Sequence, residues 1–183
     1  MNSKRTLAPM FLSLFLLVVW TSPTQASLMD MGNTTLDSST GLEWLDLTES
    51  VNRAFDDVSA NFGAGGDFEG FRYASEDEVI TFWTNAGIPD IGEITGANKS
   101  PIAELLALIG VTQEDTAFGD LSFGMTSFIE SAGNRRVAVL TDGTSDTGGS
   151  AFPFSFSNSE ADASDVLGSY LVRSTGVPVP APA

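Results

Sequence analysis

The order of hydrophobic patterns predicts an α+β fold, a single mixed domain over residues 27–175. Apolar residues recur at helical spacing in residues 48–110 and alternate at strand spacing from Leu121 onward. Helices grouped ahead of strands are typical of α+β domains, whereas parallel α/β sheets alternate the two. We therefore expect helices in the first half of the chain and an antiparallel sheet mainly from the second half.

Short strands precede the first helix. Residues 34–36 are an expected entry strand, and residues 41–47 place Leu42, Trp44 and Leu47 in near alternation with polar residues. A helix capped by Thr48 or Ser50 should follow, and Gly63 should end it. Its expected apolar face consists of Val51, Phe55, Val58 and Phe62.

Two further helices have recognisable ends. Ser75 and Glu78 have the spacing of a capping box, in which each side chain bonds the other residue's backbone amide. The third helix is expected to begin at Ser100-Pro101 and to end at Gly110, because proline suits a first helical turn and glycine a helix end.

Strand patterns dominate the second half. Residues 121–130 and 135–141 are expected to pair as a hairpin with a loop of about four residues. Residues 151–156 alternate phenylalanine with other residues, and Pro153 favours an edge strand because proline lacks a backbone donor. Residues 170–173 are a last short strand.

Residues 1–26 have the layout of a secretory signal peptide. A basic start is followed by an apolar run over residues 10–20 and by small residues before Ser27, so we expect cleavage between Ala26 and Ser27. An uncleaved anchor would need about 20 apolar residues. The mature form is therefore expected to be exported, with no membrane span.

The charge balance restricts the partners. The chain has 24 acidic and eight basic residues, and two basic residues, Lys4 and Arg5, lie in the signal peptide. Such an acidic protein repels nucleic acid and anionic lipid, so no nucleic-acid partner is expected. There is no histidine and no cysteine, which excludes histidine-dependent nucleophiles and removes the usual ligands of a zinc site.

Carboxylates are the remaining candidates for acid–base catalysis. Glu43 and Asp46 are three residues apart on an expected strand, so they should point to opposite faces, unlike the paired carboxylates of a glycosidase. Four aromatic residues are better explained as core residues than as sugar-stacking residues: Trp44, Phe71, Tyr73 and Trp83. We expect no catalytic residues, no cofactor and no enzyme activity.

Residues 142–149 are a glycine-rich loop with calcium-like chemistry. Asp142 and Asp146 supply carboxylates, and hydroxyls and backbone carbonyls lie between them. The spacing differs from that of a helix–loop–helix calcium site, and Asp-Gly is a common turn former, so a plain hairpin loop is the competing interpretation. Weak calcium binding by Asp142 and Asp146 is our hypothesis.

Residues 39–46 (STGLEWLD) and 70–79 (GFRYASEDEV) resemble secreted proteobacterial proteins of the PEP-CTERM class, which are exosortase substrates. The resemblance covers residues 37–88, and the YLVR of residues 170–173 also fits. Residues 176–183 form a Pro-rich tail that is similar to the start of the sorting signal, without the apolar helix and basic end that follow it in the family. The resemblance implies a Gram-negative source, export and a truncated sorting tail.

The same motif order has a remote resemblance to the Legionella collagen-like C-terminal domain, which implies a C-type lectin-like fold. The expected function is a binding or structural role at the cell surface or in the extracellular matrix, with extracellular polysaccharide or envelope components as partners. One alternative is a secreted carboxylate-dependent polysaccharide hydrolase. A second alternative is a calcium-dependent adhesin.

Overall fold

The computed structural model describes residues 28–176, and this part of the chain is a mixed α+β fold dominated by antiparallel sheets, as predicted. The predicted cleavage site at Ala26 and Ser27 and the tail from residue 177 lie outside the described residues. The helices are α1 (Phe55–Ala60), α2 (Glu76–Asn85) and α3 (Lys99–Ile109). The strands are β1 (Leu28–Asp30), β2 (Thr34–Asp37), β3 (Leu42–Leu45), β4 (Arg72–Tyr73), β5 (Ile94–Thr95), β6 (Gln113–Asp115), β7 (Gly119–Ser131), β8 (Asn134–Thr141), β9 (Gly149–Ser159), β10 (Leu167–Ser169) and β11 (Leu171–Ser174).

The first sheet joins both ends of the described chain. Its order is β1–β2–β3–β11–β4, and all neighbouring strands are antiparallel. Three of its strands precede α1, so the prediction that strands would come mainly from the second half is wrong for this sheet. The reason is that β3 pairs with β11, where Trp44 lies opposite Val172. A pairing between strands so far apart in the chain cannot be seen in a local sequence pattern.

The second sheet has the order β10–β7–β8–β9–β5, with β6 also paired to β7. The predicted hairpin is present as β7 and β8. Its loop is shorter than expected because Ser131 pairs with Asn134 across Ala132 and Gly133, and Gly133 adopts the positive φ that this tight turn requires. Only the pairing of β10 with β7 is parallel in the described sheets.

Pro153 lies on a sheet edge, as predicted. Strand β9 pairs with β8 along most of its length, but it pairs with β5 only at Gly149 and Ser150. From Ala151 onward, β9 therefore has one strand neighbour among the described residues. A proline is tolerated there because its missing amide donor is not needed for a second ladder.

The second sheet is covered on both faces because residues of β8 alternate between two apolar clusters. Ala138 and Leu140 pack with Trp44 and the buried faces of α2 and α3, while Val137 and Val139 pack with Phe55 and its neighbours. The aromatic residues assigned to the core from sequence are indeed buried: Trp44, Phe71, Tyr73 and Trp83.

Helix α1 is shorter than predicted. Asn52 has a positive φ of 59°, and Ala54 is extended, so no helix can run through these residues. Residues Leu47–Ser50 instead form a 3-10 turn, in which the Ser50 hydroxyl donates to the Leu47 carbonyl. Phe55 and Val58 are buried as predicted, whereas Val51 and Phe62 lie outside α1.

The ends of α2 and α3 are mostly as predicted. The Ser75 hydroxyl accepts from the Glu78 amide at 3.3 Å, and the Glu78 carboxylate accepts from the Ser75 amide at 2.8 Å, which confirms the capping box. Helix α3 begins at Lys99, before Pro101, and ends before Gly110.

The last predicted strand, residues 170–173, is present as β11, and an additional short strand of the other sheet, β10, precedes it. Residues before Tyr170 belong to β10 and residues after it belong to β11. The Tyr170 amide donates to the Met125 carbonyl at 2.9 Å, and its carbonyl accepts from the Ala74 amide at 2.8 Å. Its buried ring lies edge-on to Trp44 and Trp83, so long-range contacts determine the crossing point.

Candidate functional site

The loop predicted to bind calcium already contains a cationic side chain. The Lys99 ammonium donates to the carbonyl oxygens of Thr144 and Thr147. Asp142 accepts from the Asp120 amide at 2.9 Å, and Asp146 accepts from the Ser145 hydroxyl at 3.3 Å. No group of three or more acidic side chains within residues 28–176 is placed to hold a metal ion. Calcium binding at Asp142 and Asp146 stays a prediction.

Glu43 is engaged in a structural ion pair. Its carboxylate accepts two hydrogen bonds from Arg173, at 2.9 and 2.7 Å, and one from Thr34 at 2.7 Å. These contacts, the Arg173 hydrogen bonds above all, hold the pKa of Glu43 below its usual range despite partial burial. A carboxylate held in this way is poorly suited to proton transfer.

Asp46 has a different environment. It is 8% exposed, and its Oδ1 atom has no hydrogen-bond partner among the described residues. Burial raises its pKa to about 6, and the charges of Asp30 and Glu49 add to this effect. Neither Glu43 nor Asp46 lines the grooves described below.

A different group of residues forms an open surface at one end of the second sheet. We call it the Phe–Arg surface and define it as Glu76, Phe128, Glu130, Arg136 and Phe154. Glu76 opens α2, Arg136 lies on β8, and the others lie on the two strands that flank β8. Both phenylalanines of this surface are unusually open to solvent: Phe128 is 41% exposed and Phe154 is 48% exposed.

Irregularities in both neighbouring strands build this surface. Between Met125 and Ile129, β7 has two more residues than the opposing stretch of β8, and the extra length brings Phe128 beside Arg136. Strand β9 has a similar irregularity around Pro153, which brings Phe154 to the same arginine. Bulges of this kind re-aim side chains away from strict alternation.

The Arg136 guanidinium is the centre of the Phe–Arg surface. Its carbon lies 4.3 Å from the ring centroid of Phe128 and 5.1 Å from that of Phe154. Its Nε donates to Glu130, and its Nη1 lies 3.9 Å from Glu76. Two rings and two carboxylates therefore surround one guanidinium.

Glu76 contributes a poorly satisfied carboxylate. Its Oε2 atom is buried and has no hydrogen-bond partner within the described part of the chain, since the contact with Arg136 is longer than a hydrogen bond. Burial raises the pKa of Glu76; Arg136 opposes that shift, while Asp77 and Glu130 add to it. The capping box does not use Glu76, because Ser75 and Glu78 complete it.

Two grooves lie next to the contact between Arg136, which lines one of them, and Phe128, which lines the other. The larger, of about 460 Å³, is lined by Glu130, Arg136 and residues 154–157. The smaller, of about 270 Å³, is lined by residues 75–77 and 127–128. Aromatic faces, a guanidinium and carboxylates thus border two neighbouring open grooves, which suits binding of an extended ligand.

Sequence reasoning missed this site. Arg136 lies within the predicted strand over residues 135–141, and Glu76 lies between the two residues of the predicted capping box, so neither stands out in the sequence as a binding residue. The available signal was the alternation of phenylalanine with small residues in 152–157, close in the predicted sheet to the only adjacent arginine pair. Pattern alone does not show which of those phenylalanines remain exposed, because the irregularities in β7 and β9 decide it.

Comparisons with known proteins add no further assignment. No protein-family model, no curated protein and no solved structure matches this chain. Across residues 28–176, none of the helices has the length and apolar character needed to cross a membrane.

Proposed function

We propose that this protein is exported and acts at the cell surface or in the extracellular matrix as a binding component, with the Phe–Arg surface as its ligand site. The observation that carries the proposal is that two half-exposed phenylalanines, Phe128 and Phe154, contact the guanidinium of Arg136. Exposed aromatic residues beside an arginine are typical of recognition surfaces rather than of ordinary protein exterior.

Export is supported by the layout of residues 1–26, and extracellular polysaccharide or envelope components are the proposed partners. The resemblance to PEP-CTERM-class proteins favours the same location. We also propose a C-type lectin-like arrangement as the finer description of the fold. The mixed α+β architecture and the sheet shared by both ends of the described chain are compatible with it.

The second candidate function is polysaccharide hydrolysis. The observation that favours it is the proximity of two carboxylates, Glu76 and Glu130, to Arg136 beside a groove, with the pKa of Glu76 raised by burial. A raised pKa is the property that a general acid needs.

Fractionation of the source bacterium tests the proposal. The protein should be recovered from the medium, the matrix or the outer envelope with Ser27 as its first residue, as read by amino-terminal mass spectrometry. An Arg136→Gln variant should be exported equally but be lost from the matrix or envelope into the medium. An intact amino terminus in the cytoplasm would refute export, and unchanged retention of the variant would refute the assigned site.

A separate assay tests the second candidate function. If the wild-type protein releases reducing sugar ends from a polysaccharide and the Glu76→Gln variant does not, the hydrolase is favoured.

A further inference from the structure

We infer that the Phe–Arg surface selects uncharged sugars with adjacent hydroxyl groups over acidic sugars; the inference rests on the proposed function and names its ligand class. The first support is a matched set of hydrogen-bonding groups. Within residues 28–176, the Arg136 guanidinium donates one hydrogen bond, from Nε to Glu130, which leaves its terminal amino groups without one. Beside them lies the carboxylate of Glu76, which is 16% exposed and lines the smaller groove.

A pair of neighbouring sugar hydroxyls complements these groups. A hydroxyl donates one hydrogen bond and accepts others, so one hydroxyl can donate to Glu76 while the next accepts from Arg136. Hydrogen bonds to charged groups are the stronger class, and the contacts with Glu130, Phe128 and Phe154 orient Arg136 before binding. A simple anion would interact favourably only with Arg136, and a simple cation only with Glu76.

The phenylalanines supply the apolar part of the site. A sugar ring has a face of C–H groups, and Phe154 and Phe128 lie on either side of the arginine with rings that are 48% and 41% exposed. Because these rings lie beside the guanidinium, a sugar contacting a ring edge or face also lies within reach of the polar groups. The two grooves extend this arrangement in both directions, which suits several linked sugar units.

Charge argues against acidic sugars. The single positive charge of Arg136 is surrounded by Glu76 and Glu130, and Asp77 lines the smaller groove. The local charge is therefore negative, and the whole chain carries a formal net charge of −16. A uronate or sulfate group would meet repulsion that the one arginine cannot offset.

The test uses the mature protein, residues 27–183, with dextran and laminarin as neutral probes and alginate as the acidic probe, measured by affinity electrophoresis and calorimetry. Wild type should bind at least one neutral probe and not alginate, and added salt should not weaken binding. Arg136→Gln and Phe154→Ser should each weaken neutral binding by about 10-fold or more, and Glu76→Gln by several-fold.

Matched controls come from elsewhere on the surface. Arg53→Gln removes an arginine that lies between Asp57 and Asp67, Phe118→Ser removes a phenylalanine that is 61% exposed, and Glu114→Gln removes an exposed carboxylate. Each control should retain wild-type binding, and circular dichroism should show that all variants are folded.

Three outcomes would overturn the inference. Tighter binding to alginate, lost in Arg136→Gln, would keep the proposed binding site but assign it to acidic sugars. Equal weakening by the control variants would place the sugar elsewhere. A protein that binds none of the three probes but forms a dimer sensitive to Phe154→Ser, by size exclusion with light scattering, would assign the surface to a second copy of this chain. Loss of export in the fractionation experiment would instead refute the proposed function.

Discussion

Asp46 is the residue at which burial and charge conflict most clearly. It is 8% exposed, its Oδ1 is unpaired among the described residues, and Asp30 and Glu49 lie close enough to repel its charge. Its pKa rises from 3.8 to about 6 in the folded protein. The folded state therefore binds this proton more tightly than the unfolded state does, and stability falls as the pH rises through this interval.

We predict that Asp46→Asn stabilises the protein at neutral pH. The amide has nearly the same shape without the charge, so the free energy of unfolding at pH 7 should rise by about 1–2 kcal/mol. At about pH 3, below the ordinary pKa of 3.8, the wild-type carboxyl is largely protonated in both states, and the difference should largely disappear. Urea unfolding at both pH values measures it, with the exposed Asp162→Asn as control. A gain of equal size at acidic and neutral pH would contradict the assigned cause.

The Phe–Arg surface shows at residue scale why the site was not predicted. The residue types are visible in the sequence, but Phe154 and Phe156 occur two apart and should share a face of a regular strand. The irregularity near Pro153 gives them different partners, although both line the larger groove: Phe154 lies over Arg136, whereas Phe156 is opposite Val137 and contacts Phe123. The bulge depends on pairing with β8, which single-strand periodicity does not contain.

At the scale of elements, local signals were reliable and long-range ones were not. The cap of α2 was predictable because Ser75 and Glu78 are three residues apart and bond each other. The start of α1 was not predictable from local sequence. The Ser50 hydroxyl accepts a hydrogen bond from the amide of Ser169, which is far along the chain, and Asn52 has a positive φ that interrupts a helix. Apolar spacing still identified Phe55 and Val58 as buried, because burial depends on the face that a residue presents.

The capping box gives a prediction of opposite sign to that for Asp46. Arg72 donates to both carboxylate oxygens of Glu78, at 2.8 and 2.6 Å, and Ser75 adds hydrogen bonds. These contacts, the Arg72 hydrogen bonds first, lower the pKa of Glu78 from 4.5 to about 2. A lowered carboxyl pKa contributes stability that is present above the ordinary pKa and is lost as the pH falls toward the folded value.

We therefore expect Glu78→Gln to destabilise the protein at pH 7 by about 1 kcal/mol, because the partly exposed ion pair is weakened by solvent while the cap is only partly preserved by glutamine. The penalty should shrink as the pH is lowered toward about 2, where the wild-type carboxyl is itself protonated. Thermal unfolding across this pH range measures the change. Glu114→Gln is the matched control, and a penalty independent of pH would show that the charge is not responsible.

At the scale of the whole molecule, the two sheets are joined at Tyr170, between β10, which pairs with β7 in the second sheet, and β11 in the first. Gly168 lies opposite Gly124 in that parallel pair, and one residue after β10 the chain passes through Tyr170 into the first sheet. Tyr170 packs in one apolar cluster, while its neighbour Leu171 packs in the other. This crossing was not predictable from the YLVR pattern, because a strand that changes sheets has the same local sequence signature as one that does not.

The closeness of this junction leads to a final prediction. A methyl group at Gly168 would overlap the backbone carbonyl oxygen of Leu47, and a backbone atom of a buried turn cannot move aside as a flexible side chain can. Gly168→Ala should therefore destabilise the protein by about 2–3 kcal/mol, the cost of overpacking a well-filled interior. Gly63→Ala is the control, because a methyl group there meets no atom within 4 Å.

Since the junction connects the two sheets, the unfolding transitions followed by tryptophan fluorescence and by far-ultraviolet circular dichroism should coincide in denaturant. Separate transitions by the two probes would show that the sheets unfold independently and that Gly168 does not couple them.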